Sequence, residues 1–138
     1  MMRTIQAELH LKDICKKILY LDGKIRFVGL VNERGRLITG AVKENVEFLV
    51  DEKDREMLFM EVALRTRMGN EFDNCLGLVD FCITHRENVI IMKLPIRNET
   101  LYVSAEKGLE LDKIPFEIHK ILKNCPENNF KNFVENLK

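Results

Sequence analysis

Neither sign of charge is in excess in this sequence: 22 lysines and arginines stand against 22 aspartates and glutamates. Nucleic-acid binders ordinarily carry a basic excess or a basic stripe, so the balance argues against a nucleic-acid partner. No apolar run approaches the roughly 18 residues that a membrane-spanning helix needs. The segment from Met1 to Asp22 has no signal-peptide core, because Glu8, Lys12, Asp13 and Lys16 interrupt it at helical intervals. The expectation is a cytoplasmic protein without a membrane span. Cys15, Cys75, Cys82 and Cys125 are widely spaced, with no CxxC and no Cys/His cluster. In a reducing compartment that pattern means four free thiols rather than disulfides or a metal site. Phosphate-cradling loops are missing too: there is no GxxxxGK[ST] and no GxGxxG after a strand. Ser104 lacks the Gly-x-Ser-x-Gly elbow of a nucleophilic serine. No internal repeat, low-complexity tract or interdomain linker is present. These absences leave no catalytic residue, no cofactor and no metal ligand to nominate, and the expectation is a protein that is not an enzyme.

What is there suits one globular domain. A chain of 138 residues with 46% hydrophobic residues is long enough to bury roughly two-thirds of its unfolded surface, so it needs no staple to hold a core. Leu11, Ile14, Ile18 and Leu21 recur at three- and four-residue steps and predict a first helix, with Gly23 as its stop. A hairpin follows. Ile25 to Val31 predicts a strand, Asn32-Glu33-Arg34-Gly35 a turn with Gly35 at positive φ, and Arg36 to Val42 the return strand. Alternation puts Ile25, Phe27 and Val31 on one face and Val28 and Leu30 on the other. A strand apolar on both faces is central and covered on both sides. Gly29 and Gly40 leave room for a neighbouring element. Val46 to Val50 reads either as a short extension of the sheet or as irregular chain.

Asp51 predicts an N-cap, with Glu52 and Asp54 in the first turn of a helix running from about Glu52 to Phe72. On its helical wheel Met57, Met60, Leu64 and Met68 share one face, while Phe59, Val62, Ala63 and Thr66 share the opposite one. A surface helix of a monomer needs one apolar stripe. Two stripes mean that the helix is sandwiched within its own domain or that its second face meets another subunit. Three strands are predicted next: Leu78 to Thr84 with clean alternation, Val89 to Leu94 ended by Pro95, and Thr100 to Ala105. Short polar turns join them, as in an antiparallel meander. Ile114, Ile118, Ile121, Leu122 and Cys125 mark a third helix, with Pro115 in its first turn and Pro126 as its stop. Residues 1–125 therefore form the α+β domain, and residues 126–138 a short amphipathic tail.

Other polar residues carry little chemistry. His10, His85 and His119 are too scattered in sequence to suggest a metal site. Asp80 is read as a solvated strand residue rather than an acid catalyst, and Arg65 and Arg67 as a flank salted with Glu61 and Glu71. Methionine suits both cores and adaptable interfaces.

The element order, α-β-β-α-β-β-β-α, resembles the roadblock/dynein-light-chain domains of the wider profilin-like group, over about Ile5 to Leu122. The likeness is carried by the hairpin from Leu21 to Ile38, LDGKIRFVGLVNERGRLI, and by the last strand, Glu99-Thr100-Leu101-Tyr102-Val103-Ser104. The segments Lys24 to Gly29, Glu71-Phe72-Asp73 before Leu76-Gly77, and Val103 to Glu106 also resemble a group of small archaeal proteins with this architecture. The resemblance implies a five-stranded antiparallel sheet with the middle helix on one face and the terminal helices on the other. It implies homodimers that pair middle helices and edge strands, which nominates Met57, Met60, Leu64, Met68 and Phe81 as interface residues. It further implies a non-enzymatic adaptor or regulator whose partners include a small GTPase or a signalling assembly. The alternative is a profilin-like or PAS-like sensory domain holding a small apolar ligand between sheet and helix. An open pocket facing Gly29 and Gly40 would mark that alternative, and a closed core there the adaptor.

Overall fold

The computed structural model describes residues 5–123 apart from Arg97. The expected amphipathic tail and Cys125 lie outside the described residues. The elements are α1 (Ile5–Leu19), β1 (Ile25–Val31), β2 (Leu37–Val42), α2 (Glu52–Asn70), the short α3 (Asp73–Leu76), β3 (Cys82–His85), β4 (Ile90–Ile96), β5 (Glu99–Ala105) and α4 (Ile114–Lys123). The five strands make one antiparallel sheet in the order β2-β1-β5-β4-β3. The two most buried strands, β1 and β5, pair in its interior, with Val28 opposite Val103 and Leu30 opposite Leu101. Because side chains alternate across a strand, each strand feeds two cores. On one face Val28, Leu30, Met92, Leu94, Leu101 and Val103 meet Leu11, Cys15 and Ile18 of α1 and Ile114, Ile118 and Leu122 of α4. On the other, Phe27, Val31, Ile91 and Tyr102 meet Phe59 and Val62 of α2. The sheet thus carries helices on both faces, as the roadblock resemblance implied.

The first hairpin closes as expected. Gly35 takes a φ of 78°, its N–H donates to the Asn32 carbonyl at 3.0 Å, and the Asn32 side-chain oxygen accepts from the N–H groups of Arg34 and Arg36 at 2.9 and 3.0 Å. Asp51 caps α2, its carboxylate accepting from the Asp54 N–H at 2.9 Å. Val46 to Val50 is irregular chain.

Four details differ from the sequence expectations, each for a local reason. Ile25 buries with Val28 and Leu30 rather than with Phe27, because a register irregularity between Ile25 and Phe27 reverses the alternation. Helix α1 ends at Leu19, before Gly23, and Gly23 is not among the residues with positive φ. The connection closes instead through Asp22, whose carboxylate accepts from the Lys24 N–H at 2.8 Å. Strand β4 runs through Pro95 to Ile96. Beyond Lys93 it pairs only with β5, and proline is tolerated where no ladder donor is required. Strand β3 is correspondingly short, with Leu78 to Phe81 left outside it. Continuing its register would set Asp80 against Pro95, which has no N–H to offer. Alternation advertised a strand there, but no partner ladder exists to pair with it.

Two expected outcomes follow from this packing. A Cβ at Gly35 would meet the Met60 backbone at 2.7 Å, whereas one at Gly23 would meet nothing within 4 Å. Gly35→Ala should therefore cost about 2 kcal/mol or more, and Gly23→Ala should stay within about 0.5 kcal/mol, by urea unfolding. Burial pushes the Cys15 thiol up from 9.0 to about 12. It pushes the Tyr102 phenol up from 10.0 to about 12, with Arg86 opposing and Glu61 assisting. One group lies in each core. At neutral pH and below both are protonated in folded and unfolded chains alike. As pH climbs from about 9 toward 12 the unfolded chain releases protons that the folded chain retains. Stability should then fall, by at most about 1.4 kcal/mol per pH unit for each group. Urea midpoints measured across that window should decline, and Cys15→Ala should move the onset of the thiol-linked decline from near 9.0 to near the phenol's 10.0.

Candidate functional site

Helix α2 presents two apolar faces and the sheet covers one. Phe59, Val62, Ala63 and Thr66 are buried. Phe59 packs edge-on against Tyr102 with ring centres 5.5 Å apart, and the Thr66 and Thr100 hydroxyls share a buried hydrogen bond of 2.6 Å. That contact pins the helix to β5 through two polar groups that satisfy each other. Met57, Met60, Leu64 and Met68 are 68%, 61%, 56% and 60% exposed. Beside them Arg65 pairs with Glu61 at 3.5 Å across one helical turn. Phe72, Leu76 and Leu78, all exposed, add apolar surface just beyond the helix. A contiguous apolar row of this kind is uncommon on the surface of a folded monomer.

The structure thus brings four of the five nominated interface residues onto one open helix face. It places the fifth elsewhere. Phe81 packs against Phe116 of α4, ring centres 5.0 Å apart at 87°, and joins the core on the α1/α4 face. The strand alternation that made Phe81 look like an edge residue instead turns it toward α4.

A second feature had no signal in the sequence. The first half of α2, the segment from Val46 to Val50 and the sheet line a half-open cavity of about 390 Å³. Phe27, Phe59, Ile91 and Tyr102 are among its walls, and Arg26, Arg55 and Arg86 border it. Arg26 donates through Nη2 to the Glu47 carbonyl at 2.7 Å, which ties β1 to the segment closing the cavity. The Arg55 guanidinium lies 4.1 Å from the centre of the Phe48 ring, a cation–π contact, and Phe48 in turn meets Phe27 edge-on at 5.7 Å. Arg55 Nε is buried without a hydrogen-bond partner. The three arginines are far apart in sequence and come from β1, α2 and the β3–β4 turn, so no motif spacing announces them. At Gly29 and Gly40, by contrast, Phe27 and Leu37 fill the space over the glycines. The space directly over those two glycines is filled, and the room between sheet and helix lies instead beneath the first half of α2.

Asp80, His85 and His119 each have a neighbour within the fold. Asp80 is exposed and approaches His119 at 3.6 Å, and His119 lies against the Phe81 ring. Lys107 Nζ sits 2.6 Å from His85 Nδ1 and donates to the Arg86 carbonyl at 2.7 Å. Among the described residues no group of three or more His, Cys, Asp or Glu side chains is placed to hold a metal ion, and no helix is long and apolar enough to cross a membrane. Cys15 is buried, while Cys75 and Cys82 are exposed free thiols.

Comparison with solved structures identifies the fold. An MglB structure described as having a tetrameric arrangement superposes with a TM-score of 0.74 at 11% identity, covering 100% of this chain and 97% of that one. The gliding protein MglB of Thermus thermophilus gives 0.67 at 13% identity, covering 95% and 90%. A roadblock/LC7 domain from Streptomyces avermitilis gives 0.60 at 9% identity, covering 80% and 92%. At these identities the likeness establishes the roadblock/LC7 fold. Among curated proteins no sequence match was found. The model of the family described as a family of unknown function, DUF6659, matches residues 5–133, and the chain belongs to that family.

Proposed function

We propose that this protein is a homodimeric adaptor or regulatory module of the cytoplasm that acts through protein–protein contacts and catalyses no reaction itself. The observation that carries the reading is the open stripe of Met57, Met60, Leu64 and Met68 on α2, opposite the face that packs on the sheet. A two-fold interface pairs one patch with itself, so a single stripe suffices to bury both copies. Methionine, unbranched and polarizable, adapts readily to such a surface. Among the described residues the edge strand β3 (Cys82–His85) pairs only with β4, which leaves its outer ladder to a second copy. The likeness to roadblock/LC7 structures, one of them an MglB in a tetrameric arrangement, supports assembly of this kind. The roadblock resemblance of the sequence supports a small GTPase or another component of a signalling assembly as partner.

The two faces of α2 make opposite predictions. Leu64→Glu places two like charges in the dimer interface, and burying each unpaired costs several kcal/mol. The variant should run as a folded monomer by light scattering after gel filtration, with an unchanged far-ultraviolet circular dichroism spectrum. Thr66→Glu buries a charge against Thr100 and should unfold the domain. A wild-type chain that is monomeric at micromolar concentration would refute the dimer.

A further inference from the structure

We infer that the cavity beneath the first half of α2 is a binding site for small amphiphilic carboxylates, molecules with an apolar body and one anionic head. Its volume of about 390 Å³ lies within the range of small-molecule sites, which combine apolar walls with a few placed polar groups. Phe27, Phe59, Ile91 and Tyr102 supply the walls and are all buried, so an apolar body meets packed side chains there rather than water.

The charges at the border select the head group. Arg26, Arg55 and Arg86 face the cavity together with Glu47, Asp54 and Glu61. The carboxylates do not neutralise these arginines. Glu61 pairs with Arg65, and Glu47 engages Arg26 through its backbone carbonyl. Glu47 and Asp54 are both exposed. Among the described residues the ion pairs join other partners, and none involves Arg26, Arg55 or Arg86. Arg55 Nε is the second, independent sign. It is buried at the cavity wall without an acceptor, and a buried donor left unpaired is a costly exception in a folded protein. A carboxylate in the cavity supplies that acceptor as well as charge for Arg86, and a guanidinium suits a planar carboxylate in a two-point contact. A cationic amphiphile would instead meet three guanidiniums without an ion-pair partner among the described residues.

This site belongs to one protomer and goes beyond the adaptor reading without depending on it. The test is calorimetric titration of the full chain with decanoate, decanol and decylamine, each below its aggregation concentration. Decanoate should bind once per chain and at least about tenfold more tightly than decanol, the discrimination that one charge-assisted contact provides. Arg55→Gln and Arg86→Gln should each weaken decanoate by about tenfold while leaving decanol unchanged. Ser104→Phe, which fills the cavity from β5, should abolish binding of both. The Leu64→Glu variant should bind decanoate as the wild type does, so that failure of the dimer and failure of the site are distinguishable. Absence of decanoate binding, equal affinity for decanoate and decanol, or full affinity in an Arg55→Gln, Arg86→Gln double variant would overturn the assignment.

Discussion

Pairing of β1 with β5 is the contact on which the rest of the architecture rests. The two strands come from opposite ends of the domain, and their ladder from Ile25 to Val31 against Thr100 to Ala105 joins the first hairpin to the meander. Without it the β1–β2 hairpin would stand apart from the β3–β4–β5 meander, and a lone two-stranded hairpin presents too narrow a face to hold a helix. Alternation then divides the pair between two cores. Val28, Leu30, Leu101 and Val103 serve α1 and α4, while Phe27, Val31 and Tyr102 serve α2. Neither face of such a strand pair can be left wet, so helices are required on both sides.

That requirement makes α2 an exposed outer layer with one committed face. Toward its C-terminal half the Thr66–Thr100 hydrogen bond brings it onto β5. Nearer its start, Phe59 meets Tyr102, and the Val46 to Val50 segment with Arg55 borders the cavity. Met57 belongs both to the cavity lining and to the open stripe. A molecule in the cavity and a protein on the outer face of α2 would therefore touch the same side chain. This is a short physical connection between the small-molecule site inferred here and the proposed interface, which involves no rearrangement of the sheet.

Much of the fold could be read from residue spacing. The 3.6-residue period of Leu11, Ile14 and Ile18 and of Ile114, Ile118 and Leu122 placed α1 and α4. Asp51 marked the start of α2, and Asn32 with Gly35 marked the first turn. These signals are local: a cap, a turn and an amphipathic stripe depend on residues within a few positions of one another. The two stripes of α2 were equally legible, as was the fact that both needed explaining.

Which stripe faces the sheet was a different kind of question, since Met57, Met60 and Leu64 are as apolar as Phe59 and Val62. Only the seat offered by Phe27, Tyr102 and Thr100 across the sheet decides it. Three other features were likewise settled by pairing between distant segments. The bulge near Arg26 turns Ile25 to the other face, Pro95 leaves Asp80 without a ladder partner, and Phe81 docks on Phe116. The cavity is the extreme case, since its three arginines converge only once strand, helix and turn have packed. Local spacing in the sequence determined the elements and their apolar faces, because those follow from backbone geometry. Tertiary packing alone decided which faces meet and what space remains between them, because that depends on side-chain volumes brought together from far along the chain.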